Sequence, residues 1–431
     1  MANTRRKIEP ESAPEVATNT PGMVAFLSII EQHATDAAFL WFLRSQVMDS
    51  TLYTQEDIFE LDQRIAGHLQ GLISAEQLSW EVCTQQLEYE EAGETFVAAV
   101  VAFLSDDAAK MKVVCEVALA NPQMTPGLVS AFGWVNESRA LSWIERFLRV
   151  DEPKYRYLGI AACSIRRLDP KQQLTRILQD ASTIQHPELY ARALRLVGEI
   201  KRIDLLPALN QAMDAEHTSV HFWANWSAVL LGNDAAIINL KPYVLEENEY
   251  KGQAIQLVFN SLPIDQARQW VTEISKDPSQ NQSIIKATAI LGDPHAVPWL
   301  IQQMNQSLSA RLSGLSFSLI TGIDLEQHKL DKETEVKFKD NPEGEIEDDA
   351  ENEDSDLPWP EPSSVQAFWQ QHGHNLQLGQ RYFLGRSITS ESLNQAIEIG
   401  NQLQRGDAAL KLAMLESNTI LLNIASPAVT V

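Results

Sequence analysis

Two histidines in the middle of the chain have the spacing of a metal site. His217 and His221 are four residues apart, so they share one face if the segment is helical, and Asp214 and Glu216 lie nearby. Imidazoles and carboxylates at this spacing could bind zinc or nickel. Two ordinary helix histidines beside an aromatic cluster at Trp223 explain the pattern more simply, and we expect that arrangement.

The sequence lacks the other common signatures of catalysis. His372 and His374 lie near an acidic stretch, where affinity for a metal would be incidental. The chain has no Gly-x-Ser-x-Gly, no Walker phosphate loop and no Gly-x-Gly-x-x-Gly. Spacing alone does not assemble its scattered Ser, His and Asp residues into a triad. We therefore expect no catalytic residue, no metal site and no cofactor.

A basic region interrupts an otherwise acidic sequence. Residues 137–202 contain 13 Arg or Lys and eight Asp or Glu, whereas the whole chain carries a net charge of −24. The arginines fit solvated helix faces, or alternatively a basic stripe that binds an acidic surface of a partner protein or of the chain's own acidic stretch. Exposed ion pairs contribute about 0–1 kcal/mol each, so such docking would be reversible and sensitive to salt. The candidate residues are Arg139, Arg146, Arg149, Arg166, Arg167, Arg192, Arg195 and Arg202.

The acidic stretch between residues 340 and 356 has ten acidic residues and no basic one. Its high charge prevents it from forming a core, so we expect a solvated, mobile loop. Pro358-Trp359-Pro360 then closes the insertion with extended backbone. The acidic residues are Asp340, Glu343, Glu345, Glu347, Asp348, Asp349, Glu351, Glu353, Asp354 and Asp356.

The elements that must position these residues form a repeat. Turns recur at Ser105, Asn136, Asp169, Lys201, Gly232, Pro263 and Gly292, in steps of 29 to 33 residues. The residue before each turn is apolar, and so is the residue eight positions after it: Val113, Ile144, Ile177, Leu209, Leu240, Val271 and Leu300. Two apolar columns in seven copies predict a helix–turn–helix unit that stacks into an all-α solenoid.

The rest of the chain is divided around these repeats. We predict a disordered tail over residues 1–21, a helical cap over 22–91, repeats over 92–322, an acidic insertion over 323–363 and a C-terminal helical cap over 364–431. The C-terminal cap should contain helices over Ser390–Gln404 and Asp407–Leu415. The apolar end, Ile420–Val431, fits either a short strand or a packed extension.

Composition excludes several classes of protein. A strongly negative field repels nucleic acid and anionic membranes. The N-terminal residues lack the apolar core of a secretory signal, and no apolar run approaches the roughly 20 residues that span a bilayer. Cys83, Cys115 and Cys163 have no metal-binding spacing, so we expect buried, reduced thiols. A cytoplasmic protein that inserts into no membrane follows.

Several segments resemble known proteins. The repeat, with its Gly-Asp-Pro turn followed by Ala-Val-Pro-Trp-Leu, resembles the HEAT repeats of phycobilin-lyase-type proteins. The ends of the chain resemble a proteobacterial family of HEAT-repeat proteins that has no established activity. The resemblance rests on His33–Arg44, Glu60–Leu72, Leu319–Leu325, Leu357–Pro360 and a motif containing Gly379, Arg381, Tyr382 and Gly385. Members of that family are often encoded beside type VI secretion genes, near spike and effector components.

Together these observations favour a non-enzymatic scaffold with a protein partner. The resemblance implies an accessory or adaptor for type VI secretion that holds an effector or spike component. An immunity protein that occludes a basic toxin would also suit the acidic surface. A HEAT-type lyase or metal-dependent enzyme is the other alternative, although none of the nine histidines precedes a glutamate, as the di-iron members of that class require.

Overall fold

The computed structural model describes residues 21–332, 354 and 356–431, and these form an all-α fold, as predicted. The helices are α1 Pro21–Gln46, α2 Gln55–Ile73, α3 Glu76–Gln86, α4 Ala92–Ser105, α5 Ala108–Ala120, α6 Thr125–Trp134, α7 Glu137–Arg149, α8 Pro153–Arg166, α9 Gln172–Gln179, α10 Ala181–Ile184, α11 Pro187–Glu199, α12 Leu206–Ala212, α13 Thr218–Leu230, α14 Lys241–Leu245, α15 Lys251–Ser261, α16 Ile264–Ile274, α17 Asn281–Leu291, α18 Val297–Gln303, α19 Ala310–Thr321, α20 Pro362–His372, α21 Ser390–Ile399 and α22 Gln402–Leu415. Two short antiparallel strands, β1 Tyr382–Phe383 and β2 Arg386–Ser387, form a hairpin.

The predicted turns coincide with helix ends. The first helices of the repeats end at Ser105, Trp134, Arg166, Glu199, Leu230, Ser261 and Leu291. The chain reverses through left-handed backbone after several of them, with φ of +54° at Arg167, +57° at Lys201 and +70° at Gly292. The predicted positions of these turns are therefore confirmed.

In the first repeat, the start of the second helix lies two residues later than the alignment on Ser105 implies. The side chain of Asp107 accepts hydrogen bonds from the backbone N–H groups of Ala109 and Lys110, so α5 begins after Asp107 rather than after Ser105. The position eight residues after this cap is Cys115, which is fully buried, whereas Val113 is 37% exposed. Cys115, and not Val113, therefore occupies the apolar column.

Contacts divide the chain into two compact units. Of the described residues, unit 1 contains 21–41, 64–128 and 431, and unit 2 contains 42–63, 129–332, 354 and 356–430. In unit 1, α3 packs against α4 and α4 against α5, and Trp41 stacks on Phe96 with ring centroids 5.4 Å apart. Helices α4 and α6 approach so closely that a Cβ at Gly127 would lie 1.9 Å from the Ala92 carbonyl oxygen.

In unit 2, the first helices of successive repeats pack in series. Helix α8 contacts α11, and the series continues through α13, α15, α17 and α19. Helix α20 contacts α18 and supplies Val365 to a buried cluster that includes Phe317. The segment after the acidic insertion thus packs beside α18 and α19.

The C-terminal helices differ from the prediction at one point. The predicted helix Ser390–Gln404 ends at Ile399, because Gly400 is extended and Asn401 starts a new helix. The Asn401 side chain accepts a hydrogen bond from the Gln404 N–H, and Gln404 bonds back to the Asn401 N–H. This capping box separates α21 from α22.

The three cysteines are buried and free, as predicted, and burial raises the pKa of each thiol to about 12. Among the described helices, none is both long and apolar enough to cross a bilayer.

Candidate functional site

Basic side chains cap the carbonyl ends of helices in unit 2. Arg166 donates hydrogen bonds to the carbonyl oxygens of Phe132 and Val135 at the end of α6. Lys201 donates in the same way to the Leu230 carbonyl at the end of α13. The last carbonyls of a helix lack intrahelical partners and carry partial negative charge, so cations stabilise them. Part of the basic region is therefore structural.

Three of the predicted arginines converge on one buried acid, Glu199, the last residue of α11. Its carboxylate is 1% exposed and accepts from Arg195 Nε at 2.8 Å. Arg167 Nη1 lies 3.3 Å from the other oxygen, which also accepts a hydrogen bond from Ser164. We call Glu199, Ser164, Arg167, Arg192 and Arg195 the Glu199 cluster.

The arginines control the ionisation of Glu199. Burial disfavours its charged form, but the charges of Arg195, Arg167 and Arg192 outweigh this effect and lower its pKa to about 2. Glu199 is consequently ionised at any physiological pH. One negative charge then faces three guanidinium groups, so the cluster carries an excess positive charge.

Arg192 is the cation whose charge is least compensated. Its Nε is buried and has no hydrogen-bond partner within the described part of the chain. Burial and the neighbouring charge of Arg195 lower the pKa of Arg192 to about 10. The Arg195 guanidinium lies over the Trp223 ring, 4.3 Å from its centroid, where a cation–π contact stabilises it. The cluster therefore combines an excess of positive charge with a buried donor that has no partner among the described residues.

The C-terminal end of the chain passes beside this cluster. Arg167 Nε donates to the Leu421 carbonyl at 2.5 Å, and the Leu421 N–H donates to the Glu199 carbonyl at 2.9 Å. Of the two alternatives that the sequence left open, the segment is a packed extension, and no strand forms over residues 416–431.

The other predicted arginines lie elsewhere. Arg202 is paired with Asp169 and Asp204, at 2.7 Å in each case. Arg149 pairs with Glu145 on the exposed face of α7, and the Arg146 guanidinium lies 4.5 Å from the centroid of the Trp143 ring. Arg139 is half-buried at the start of α7. The eight arginines are thus distributed over several environments, and the binding role of the stripe stays a prediction.

The histidine pair is held by different partners. His221 Nδ1 lies 2.9 Å from the Tyr243 hydroxyl, whereas His217 Nδ1 lies 3.0 Å from the Ser219 hydroxyl at the start of α13. No group of three or more His, Cys, Asp or Glu side chains with metal-binding geometry occurs within residues 21–332, 354 and 356–431. His372 stacks on Phe368, with ring centroids 4.1 Å apart.

Backbone hydrogen bonds join the two segments that flank the acidic insertion. The Lys332 N–H donates to the Trp359 carbonyl, and the Glu361 N–H donates to the Leu330 carbonyl, both at 2.7 Å. Arg311 lies over the Trp359 ring and donates to the Asp354 carbonyl at 3.2 Å. The acidic residues from Asp340 to Glu353 lie outside the described residues, so their proposed docking stays a prediction.

The motif after α20 attaches the hairpin to helix ends. Arg381 donates to the carbonyls of Phe259, Asn260 and Leu262 at the end of α15, and the Tyr382 N–H donates to the Gly292 carbonyl at 2.8 Å. Gly385 has a φ of +73°, and a Cβ there would lie 2.4 Å from the Thr321 carbonyl. Gly379, also left-handed, borders a cavity of about 630 Å³ whose lining includes Arg381 and Lys411.

The chain was compared with known protein families, sequences and structures. No protein-family model, curated protein sequence or solved structure gives a significant match to this chain.

The sequence did not single out Glu199 or Ser164. Glu199 lies in the segment Leu-Val-Gly-Glu-Ile. The available signal was a lone acid at the apolar end of a helix that contains two arginines. Ser164, Arg167 and Leu421 are brought to it by the packing of α8 on α11 and by the path of the C-terminal residues.

Proposed function

We propose that this protein is a non-enzymatic scaffold that binds an acidic surface of a partner protein through the Glu199 cluster. The observation that carries the proposal is the charge imbalance in the cluster. Arg167 and Arg195 both pair with the Glu199 carboxylate, and the charge of Arg192 also lowers its pKa. The buried Nε of Arg192 has no partner within the described residues.

A carboxylate from a partner would supply the missing counter-charge. A hydrogen bond between a guanidinium and a carboxylate is about twice as strong as a neutral one, and burial strengthens it further. Trp223 and Arg195 add an aromatic ring and a planar cation at the same place, and these residue types dominate binding energy at protein interfaces. Trp223 is half-buried, so part of its surface remains accessible.

The narrower form of this proposal rests on the family resemblance alone. It is an adaptor for type VI secretion that holds an effector or spike component. Loss of an adaptor would abolish delivery of the effector, whereas loss of an immunity protein would make the cell sensitive to a toxin. A deletion strain therefore separates these two roles.

The test is affinity purification of the tagged protein from its native cells at low and moderate salt, with Arg192→Gln beside the wild type. The matched control is Arg149→Gln, which removes the same charge from an exposed helix pair. We expect the wild type and R149Q to retain a stoichiometric partner and R192Q to lose at least nine-tenths of it. R192Q relieves crowding among like charges, so its fold should be intact by circular dichroism.

Retention of the partner by R192Q would contradict the role of the cluster. Recovery of the wild type without any partner at either salt concentration would contradict the scaffold proposal itself.

A further inference from the structure

The last residues of the chain lie against unit 2 as an extended segment. We call residues 417–430 the C-terminal tail. At Leu421 both backbone groups are bonded: the N–H donates to the Glu199 carbonyl, and the carbonyl accepts from Arg167. Pairing of both groups of one residue is how a receptor recognises an added extended peptide.

The tail makes further contacts along its length. Asn423 Nδ2 donates to the Ile165 carbonyl at 2.8 Å, and Arg44 donates to the Ala425 carbonyl at 3.1 Å. The Ala428 N–H donates to the Asp62 carboxylate at 2.7 Å. All but one of these five bonds involve the tail's backbone, so the receptor surface recognises an extended chain more than a particular sequence.

The side chains of the tail are held less firmly. Ile420 is 44% exposed and Leu422 is 46% exposed, and the other apolar side chains of the tail are only partly covered. Residues 417–430 contain no charged side chain, so the tail does not offset the excess charge of the Glu199 cluster. A segment whose apolar side chains are incompletely covered opens locally more readily than the core helices do.

The groups that bond to the tail are also held by contacts that do not involve it. Arg167 is paired with Glu199, and Arg44 with Asp62, independently of the tail. The Glu199 and Ile165 carbonyls belong to α11 and α8, whose positions are fixed by helix packing. Because such groups are preorganised, an incoming segment need not order them.

We infer that this surface is a docking groove for an extended, mostly apolar segment of a partner protein, and that the C-terminal tail occupies it as an internal competitor. The inference deepens the proposed function: the partner's segment would replace the tail, and an acidic residue beside it would pair with Arg192. A tethered competitor has an effective concentration on the order of millimolar, so the partner must bind the groove more tightly than the tail does.

The experiment uses a fluorescent peptide of residues 417–431 as the probe and the full-length protein as the receptor. Leu421→Pro removes the N–H that bonds to the Glu199 carbonyl and so loosens the tail. Leu422→Pro is the matched control, because the Leu422 N–H makes no hydrogen bond among the described residues. We expect L421P to bind the peptide at least tenfold more tightly than the wild type, and L422P to bind it as the wild type does.

Modified peptides test the groove without changing the protein. N-methylation of the peptide at Leu421 should weaken its binding to L421P at least tenfold, and N-methylation at Leu422 should change it less than threefold. Equal binding of the two modified peptides, or no binding of the unmodified peptide by L421P, would overturn the inference. A dimer of L421P that exchanges tails would also overturn it, because the groove would then serve a second copy.

This assay needs no cellular partner. Peptide binding without any captured partner would therefore count against the proposed function while leaving the groove established. If the peptide does not bind but a captured partner depends on Arg192, the groove inference fails and the proposed function is supported.

Discussion

Two ion pairs of the same spacing occupy different environments in this protein. Glu145 and Arg149 are four residues apart in α7, at 2.9 Å, and their side chains are 64% and 72% exposed. Arg195 and Glu199 are four residues apart in α11, at 2.8 Å, but Glu199 is 1% exposed and has two further arginines nearby. The spacing is the same and the distances are nearly so, while the order of acid and base along the helix is reversed. Burial and the number of neighbouring charges are the larger differences.

The difference shows what each pair can contribute. Water screens the pair in α7, and an exposed pair of this kind contributes about 0.3–0.5 kcal/mol. In α11 the Glu199 carboxylate is removed from water, so its charge depends on the neighbouring arginines for compensation. The following three predictions test this contrast.

The largest expected effect is that of Glu199→Gln. The substitution keeps the size of the side chain but leaves the three guanidinium groups around this buried position without a counter-ion. Removal of one partner of a buried ion pair costs about 3–5 kcal/mol, so the free energy of unfolding should fall by that amount. Urea denaturation followed by tryptophan fluorescence measures it.

The pH dependence provides the control for this prediction. The pKa of Glu199 is about 2 in the folded protein and 4.5 when unperturbed. Its stabilising effect is therefore fully present above pH 4.5 and is lost as the pH falls toward 2. The stability gap between wild type and E199Q should narrow by about 3 kcal/mol over this range, and a gap that does not change with pH would contradict the assignment.

A second buried group, in α22, sharpens the comparison because it contains one acid and one base, with a further like charge acting on each, Asp49 on the acid and Arg381 on the base. Asp407 is 7% exposed and Lys411 is 4% exposed. Burial raises the pKa of Asp407, whereas the pKa of Glu199 is lowered. Burial also lowers the pKa of Lys411 to about 8, although Asp407 and hydrogen bonds to Asn260 and the Ile290 carbonyl hold its amine. A single counter-charge does not compensate for burial here, whereas three do at Glu199.

The second prediction concerns Lys411→Met. The pKa of Lys411 falls from 10.5 to about 8 on folding, so the unfolded chain binds more protons between these pH values and stability rises with pH. The wild type should gain about 3 kcal/mol relative to K411M between pH 8 and 10.5, since the variant lacks this titration. Denaturation midpoints of both proteins across that range measure the gain.

Comparison with the variant removes the contribution of other groups. Lys201 also has a pKa lowered to about 8 by burial, and it is present in both proteins. A stability difference that stays constant from pH 8 to 10.5 would show that Lys411 is not the group responsible.

Most of the fold could be predicted from the sequence, because helix periodicity and turn residues are local signals. The seven turns were located from apolar columns and from residues such as Gly292, and the helices end there. The errors were local as well: the caps formed by Asp107 and Asn401 depend on which side chain accepts a backbone hydrogen bond. Several residues near each turn could form the helix cap, and their spacing does not show which one does.

The candidate site could be predicted only in part, because burial is not a local property. The sequence selected eight arginines by charge, and Arg149 and Arg195 looked equivalent. Only the packing of α8, α11 and α13 places Arg195 on Trp223 and removes Glu199 from water. Leu421 is 222 residues from Glu199, and no periodicity connects them.

The smallest expected effect is that of Glu145→Gln, the counterpart of E199Q in the exposed pair. The order of the pair, with the acid on the N-terminal side, is the favourable one in a helix, but solvent competes for both side chains. The free energy of unfolding should fall by no more than about 0.5 kcal/mol, and by less in 1 M salt, where charges are screened beyond about 3 Å. Urea denaturation in both salts measures the loss. A loss near that of E199Q would mean that the four-residue spacing, rather than burial, sets the strength of these pairs.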